Sequence, residues 1–113
     1  GKEGQEKIKK SLDYLRHSMS CCLGKIKIIR KADYKLGIEK DLINIIETKT
    51  GLPSSDTLKF TLEDGSWFVV RPSGTEPKMK IYLSVKGTSH KDSEEKMNCF
   101  EKAVMDIIHD SCS

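Results

Sequence analysis

The run Arg-Pro-Ser-Gly-Thr-Glu-Pro-Lys at positions 71–78 contains side chains and backbone that suit a phosphate group. Arg71 can offer its planar guanidinium to two phosphate oxygens, and each charge-assisted hydrogen bond contributes roughly 1.5–3 kcal/mol. Ser73 and Thr75 add hydroxyl donors, and Gly74 allows the positive φ with which consecutive backbone amides can face an anion. Lys78 adds a positive charge at longer range. The run predicts a phosphate-binding loop, which we call the clamp loop (residues 71–78).

Two simpler interpretations apply to parts of the clamp loop. Pro, Ser, Gly and Thr are common in polar turns, so a plain turn between strands is one alternative. The position of Arg71 at the end of an apolar strand favours a functional loop, because such loops are often presented by rigid scaffolds. For Lys78, the alternative is a solvated lysine at the end of a strand. Glu76 would repel phosphate, so we expect it to orient a neighbouring lysine or arginine.

Hydrophobic alternation predicts the strands on either side of the clamp loop. Apolar and polar residues alternate over 58–63 and again over 79–86, which indicates strands with one wet face. Asp64-Gly65 predicts a tight hairpin turn, and Trp67 to Arg71 forms the returning strand. Of the two aromatic residues that begin this strand, one is expected in the core and one at its rim. The clamp loop therefore joins two neighbouring strands.

The ends of the chain have the periodicity of amphipathic helices. A further strand is expected from Ile26 towards Tyr34, whereas 36–55 has no clear pattern apart from a loop at 51–54. Leu42, Ile43 and the isoleucines that follow could form a short strand or a helical turn. The apolar stripe of the first helix comprises Ile8, Leu12, Leu15 and Met19, and that of the last comprises Met97, Phe100, Val104, Ile107 and Ile108.

The final helix is predicted to begin at Ser89, whose hydroxyl can cap it while Asp92 reaches back in a capping box. Two amphipathic helices and an antiparallel sheet with one polar face fit a two-layer α+β sandwich. Length supports one domain over residues 1–113. Because the chain begins at Gly1 without a methionine, we expect it to be a piece excised from a longer polypeptide.

The stretch DGSWFVVRPSGTEPKMKIY, residues 64–82, resembles the C-terminal domain of the α-D-phosphohexomutases. Lys78, Lys80 and Tyr82 most resemble the phosphoglucomutase and phosphomannomutase branch. The resemblance implies a TATA-box-binding-protein-like fold, with a mainly antiparallel four-stranded sheet and two helices on one face. It also implies that the phosphate-binding set is Arg71, Ser73, Gly74 and Thr75, and Lys78 is included with them for its longer-range positive charge.

The resemblance further implies that the parent enzyme, an isomerase of carbohydrate metabolism, moves a phosphoryl group between the 1- and 6-positions of a hexose through a phosphoserine. This domain would bind the phosphate that is not transferred, with glucose or mannose 1-/6-phosphate and the upstream domains of the chain as partners. Mg²⁺ is expected in the full-length enzyme and no cofactor in this domain. No catalytic residue is assigned, because the phosphoserine and metal loops are not found, and the fragment alone is expected to be inactive.

One short motif imitates the phosphoserine loop. Thr88-Ser89-His90 is similar to its Ser-His pair, but Lys91 and Asp92 follow where the family has Asn-Pro. Ser89 is therefore predicted to be a helix cap. A freestanding phosphosugar- or phosphate-binding module without catalysis remains the alternative to a mutase domain.

Composition narrows the class of protein. The chain has 36% hydrophobic and 33% charged residues and a net charge of +3, which favours anionic ligands only slightly. No apolar run approaches the ~20 residues of a membrane span. The predicted wet strand after the clamp loop offers one aromatic residue, so nucleic-acid binding is not expected. The four cysteines lack metal-ligand spacing, and we expect thiols in a reducing cytoplasm.

Overall fold

The computed structural model of the protein describes residues 2–17, 22–23, 25–74 and 76–111. Two helices flank the strands along the chain, in the α+β order expected from the sequence. Neither helix is long and apolar enough to cross a membrane within these residues. The elements are α1 (Lys2–His17), β1 (Cys22–Leu23), β2 (Ile26–Asp33), β3 (Ile38–Asp41), β4 (Ile46–Lys49), β5 (Leu58–Leu62), β6 (Trp67–Pro72), β7 (Met79–Ser84) and α2 (His90–Ser111).

All strand pairs of the sheet are antiparallel, and the spatial order is β4-β3-β2-β5-β6-β7, with β1 pairing the start of β2. The expectation of four strands was wrong, because seven lie in the described part of the chain. The predicted four are β2, β5, β6 and β7. The additional strands are the two-residue β1 and the β3–β4 hairpin within residues 36–55. Residues 42–45 form the turn of that hairpin.

Both helices pack on the same face of the sheet, which confirms the two-layer arrangement. Phe60 and Phe68 stack with ring centroids 4.7 Å apart. Phe68 also meets Phe100 of α2 edge-on at 6.1 Å, which links the sheet to the helix layer. The buried core comprises Leu12, Leu15, Leu23, Ile28, Leu58, Phe60, Leu62, Phe68, Val70, Phe100 and Val104. The predicted stripe residue Met19 lies outside the described residues.

The first turn of α2 is capped largely as predicted. The Ser89 hydroxyl accepts a hydrogen bond from the Asp92 amide at 3.1 Å, which confirms Ser89 as the cap. The Asp92 carboxylate accepts from the Thr88 amide at 2.8 Å instead of from the amide of Ser89, so the reciprocal bond is displaced by one residue. This backbone hydrogen bond is the main reason that the pKa of Asp92 is lowered.

A partly buried arginine connects α1 to the sheet. Arg16 Nε donates to Asp33 of β2 at 2.8 Å, and its Nη2 donates to Asp56 in the loop before β5 at 2.7 Å. Burial alone would lower the pKa of Arg16, but the hydrogen bonds to Asp56 and Asp33 outweigh it and raise that pKa. The Lys31 ammonium donates to the Arg16 carbonyl. Arg16 thereby fixes the C-terminal end of α1 over the strands.

Candidate phosphate-binding site

The clamp loop connects β6 and β7, as the sequence predicted. Arg71 and Lys80 are directly paired across the two strands, and Pro72 pairs with Met79. The Ser73 amide donates to the Lys78 carbonyl at 2.8 Å and so extends the ladder into the loop. At the other side, a Cβ on Gly4 would lie only 2.8 Å from Cβ of Pro77, so the start of α1 approaches the loop closely. Strand pairing and this contact limit the freedom of the loop.

The Arg71 side chain lies on the sheet face opposite the helices. Phe68 and Val70 of β6 are buried under the helices, and side chains of a strand alternate between its faces. Arg71 is exposed, and its Nη2 donates to the Tyr82 hydroxyl at 3.1 Å. The guanidinium carbon also lies 5.5 Å from the centroid of the Tyr82 ring. Within the described residues no carboxylate forms an ion pair with Arg71, so its charge is available to a ligand.

Gly74 and Ser73, which follow Arg71 in the clamp loop, are constrained in different ways. Gly74 has φ +89°, and nothing lies within 4 Å of the position that a Cβ would occupy. Glycine is therefore required by the backbone conformation and not by crowding. Ser73 is half-buried, and its amide is already used by Lys78. Thr75 lies outside the described residues, so its role stays a prediction.

Lys78 and Glu76 form an ion pair at the outer side of the loop. Lys78 Nζ lies 3.3 Å from Glu76 Oε2, and the two side chains are 74% and 58% exposed. Glu76 thus contacts a lysine, in line with its expected role. An exposed pair of this kind contributes about 0–1 kcal/mol, so it holds Lys78 only weakly.

The open sheet face adds groups that the sequence analysis did not assign to the site. Lys80 lies on this face because it is paired with Arg71, and Tyr82 lies beside both. Farther from the clamp loop on the same face, Lys59 Nζ of β5 lies 4.9 Å from the centroid of the half-buried Trp67 ring of β6. The buried Phe68 and half-buried Trp67 confirm the expected core and rim pair. The pairing register of β6 and β7 places Lys80 and Tyr82 beside Arg71. A sequence analysis that had assumed this register would have identified both residues.

The helix side of the clamp loop is less suited to a dianion. Pro72, Gly74 and Glu76 line a cleft of about 310 Å³ against α1. The cleft contains Asp13 and Asp56 as well as basic side chains, and its arginine, Arg16, is already paired with two carboxylates. Its charges therefore largely cancel. Among the described residues, the guanidinium beside the clamp loop that has no carboxylate partner is that of Arg71, on the opposite face.

The comparisons with known proteins agree with this fold and loop. The family described as "Phosphoglucomutase/phosphomannomutase, C-terminal domain" matches residues 24–102. The chain is 33% identical over 85 residues to "Phosphoglucomutase" of Staphylococcus saprophyticus, covering 75% of this chain and 15% of that protein. It is 44% identical over 54 residues to "Probable phosphomannomutase" of Haemophilus influenzae, covering 48% of this chain and 11% of that protein. No solved structure matches the chain.

The extent of the family match is sufficient to assign the domain class. The matched range includes every described strand from β2 to β7, the whole clamp loop and the first half of α2. The chain belongs to the phosphoglucomutase/phosphomannomutase family and corresponds to its C-terminal domain. It spans about 15% of the length of the first curated phosphoglucomutases that it matches.

Proposed function

We propose that residues 1–113 form the C-terminal phosphate-binding domain of a larger phosphohexomutase. In this role the domain binds the phosphate of a hexose phosphate that is not being transferred. The observation that carries the proposal is the exposed Arg71 guanidinium, which donates a hydrogen bond to the Tyr82 hydroxyl and lies next to Lys80. A guanidinium without a carboxylate partner among the described residues suits a dianionic phosphate.

Each predicted residue has a distinct part in this binding. Arg71 holds two phosphate oxygens, and the loop hydroxyls of Ser73 and Thr75 donate to the others. The positive φ of Gly74 lets backbone amides of the loop face the anion. Lys78 exchanges its exposed contact with Glu76 for the phosphate and adds charge at longer range.

The domain contributes to catalysis through position and charge. We infer that the whole enzyme transfers a phosphoryl group between the 1- and 6-positions of glucose or mannose phosphate through a phosphoserine and a bisphosphorylated sugar. Phosphoryl transfer depends on orientation and electrostatic stabilisation, so a clamp on the distant phosphate accelerates it by fixing the sugar. Closure of a C-terminal domain over the sugar would also exclude water.

Mg²⁺, which the family implies, has no identified ligands among the described residues of this domain. No group of three His, Cys, Asp or Glu residues that could hold a metal ion occurs among the described residues. A requirement for Mg²⁺ stays a prediction for the full-length enzyme, where other parts of the polypeptide would supply the ligands.

Binding by the isolated domain is expected to be weak. Two or three charge-assisted hydrogen bonds contribute on the order of 3–9 kcal/mol in total. Association costs about 4–15 kcal/mol in lost translational and rotational freedom. We therefore expect millimolar affinity or weaker, and no turnover without the rest of the enzyme.

Titration of the chain with glucose 1-phosphate, followed by amide chemical shifts, tests the proposal. We expect the largest shifts at residues 73–75, and we expect Arg71→Ala to abolish them without loss of the fold. Arg30→Ala is the matched control, because Arg30 is exposed and lies on β2, away from the clamp loop. Unmodified glucose should produce no shifts. Unchanged binding by Arg71→Ala, or an equal loss with Arg30→Ala, would contradict the assignment.

A further inference from the structure

The tip of the β3–β4 hairpin exposes apolar side chains. Ile43 is 53%, Ile45 90% and Ile46 53% exposed. Ile45 also has φ 56°, in the left-handed region that a β-branched residue rarely adopts. The Asp41 carboxylate fixes the turn by accepting hydrogen bonds from the amides of Ile43 and Asn44. An isoleucine in this position is not stabilised by burial against the described residues, so the hairpin tip is a candidate contact surface.

Strand β4 forms one edge of the sheet, and all four of its residues are exposed. The Thr50 amide donates to the Gly37 carbonyl at 3.0 Å, so these two residues form a hydrogen-bonded pair. Hydrogen-bonded and non-hydrogen-bonded pairs alternate along antiparallel strands, and this pair therefore shows which residues of β4 bond to β3. By this alternation Thr48 bonds to β3, whereas the amides and carbonyls of Glu47 and Lys49 point to the open edge. The edge therefore offers donors and acceptors for one more antiparallel strand.

The charges of β4 are complementary to those of a second β4. In an antiparallel pair related by a two-fold axis at Thr48, Glu47 lies opposite Lys49 of the second copy, and Lys49 lies opposite its Glu47. These are also the residues whose backbone groups point outward. An axis at Glu47 or at Lys49 would place like charges opposite each other, which is unfavourable. The register centred on Thr48 therefore allows backbone hydrogen bonds between the two edges and places opposite charges next to each other.

In the same register, the exposed isoleucines at the hairpin tip lie against the second copy. Counting outward from Thr48, Ile46 lies opposite Thr50 and Ile45 opposite Gly51 of the second copy. Leu52, which is 60% exposed, follows directly after them. The tip of each hairpin would therefore cover the exposed leucine at the base of the other.

We propose that two copies of this chain associate through antiparallel β4–β4 pairing centred on Thr48, which continues the sheet from one copy to the other. The proposal is independent of phosphate binding, because β4 and the β6–β7 clamp lie at opposite ends of the strand order. The contact is small, and interfaces of this kind are weak and transient.

Sedimentation equilibrium tests the association, over about 10 μM to 1 mM, where a weak interface of this size should associate. We expect a reversible monomer–dimer equilibrium that high salt weakens, since salt screens exposed charges. A chain that stays monomeric throughout this range overturns the proposal.

Charge reversal tests the register. Glu47→Lys and Lys49→Glu should each weaken self-association by about tenfold, because each puts like charges opposite one another. An equimolar mixture of the two variants should form a heterodimer, since the pairs are then complementary again. Lys102→Glu, an exposed change on α2, should dimerise as the parent chain does. If both reversed variants dimerise like the parent, or if the mixture fails to associate, the register is wrong.

Ile45→Gly separates association from folding. Glycine removes the strain of the left-handed turn, so the melting temperature of the monomer should rise. It also removes the side chain that would cover Leu52 of the second copy, so self-association should weaken. Self-association at full strength in this variant would contradict the role of the tip.

Discussion

At the scale of single residues, Arg71 and Tyr82 form one unit. The tyrosine ring and hydroxyl both contact the guanidinium, so the arginine occupies a defined position before a ligand arrives. Fixing a flexible side chain in advance lowers the entropy lost on binding. Lys80, directly opposite Arg71, increases the positive potential at the same place. A lysine in place of Arg71 would lose both the planar fork and much of the interaction with the ring.

We predict that Tyr82→Leu weakens binding of glucose 1-phosphate by about two- to fivefold, since an exposed cation–π contact contributes about 0.5–1 kcal/mol. Tyr82→Phe keeps the ring and should restore most of the affinity. Amide chemical-shift titration measures both variants. Leucine and phenylalanine variants with equal affinity would argue against a positioning role for the ring.

At the scale of elements, the cap of α2 combines two side chains across its first turn. Ser89 satisfies the Asp92 amide, and Asp92 in turn bonds the amide of Thr88. Lys96 lies 3.5 Å from Asp92 one turn later and adds a favourable charge. Because these contacts favour the ionised carboxylate, the folded-state pKa of Asp92 is lowered.

A lowered folded-state pKa means that Asp92 stabilises the protein fully above the ordinary aspartate pKa of about 3.9. This stabilisation is lost as the pH falls through the lower, folded-state value. We therefore predict that the difference in unfolding free energy between the parent chain and Asp92→Asn is largest at neutral pH and decreases in acid. Urea unfolding at several pH values measures it. Asp106→Asn, an exposed change within α2, is the control, and a difference that does not vary with pH would refute the prediction.

At the scale of the whole molecule, Arg16 connects α1 to the sheet. Its side chain is 8% exposed, and it connects α1 to Asp33 and to Asp56. It also forms part of the cleft beside the clamp loop. The position of α1 relative to the loop therefore depends on a charged contact as well as on the apolar core.

We predict that Arg16→Ala lowers the free energy of unfolding by about 3 kcal/mol, because it leaves the buried Asp33 carboxylate without its cation. The value is at the low end of the range for a broken buried pair, since Asp56 is 40% exposed. Urea denaturation measures the loss. Arg30→Ala, at an exposed arginine, should change stability by less than about 0.5 kcal/mol. Equal effects of the two substitutions would contradict this account.

The predictability of the fold varied along the chain for a physical reason. In β5 the buried residues Leu58, Phe60 and Leu62 alternate with half-buried ones, so its pattern was clear from the sequence. All residues of β4 are exposed, and such a strand has no alternation of burial to detect. The β3–β4 hairpin was therefore missed, and the strand count was too low.

Patterns in the sequence were sufficient to predict the local features: the loop between β6 and β7, the strands beside it, the helix stripes and the cap at Ser89. These depend on residues close together in the chain. The folded arrangement was needed to show that Arg71 shares a face with Lys80 and Tyr82, and that Arg16 contacts Asp33 and Asp56, which are 17 and 40 residues away. Strand register and helix docking bring such distant groups together, and neither is encoded in a local pattern.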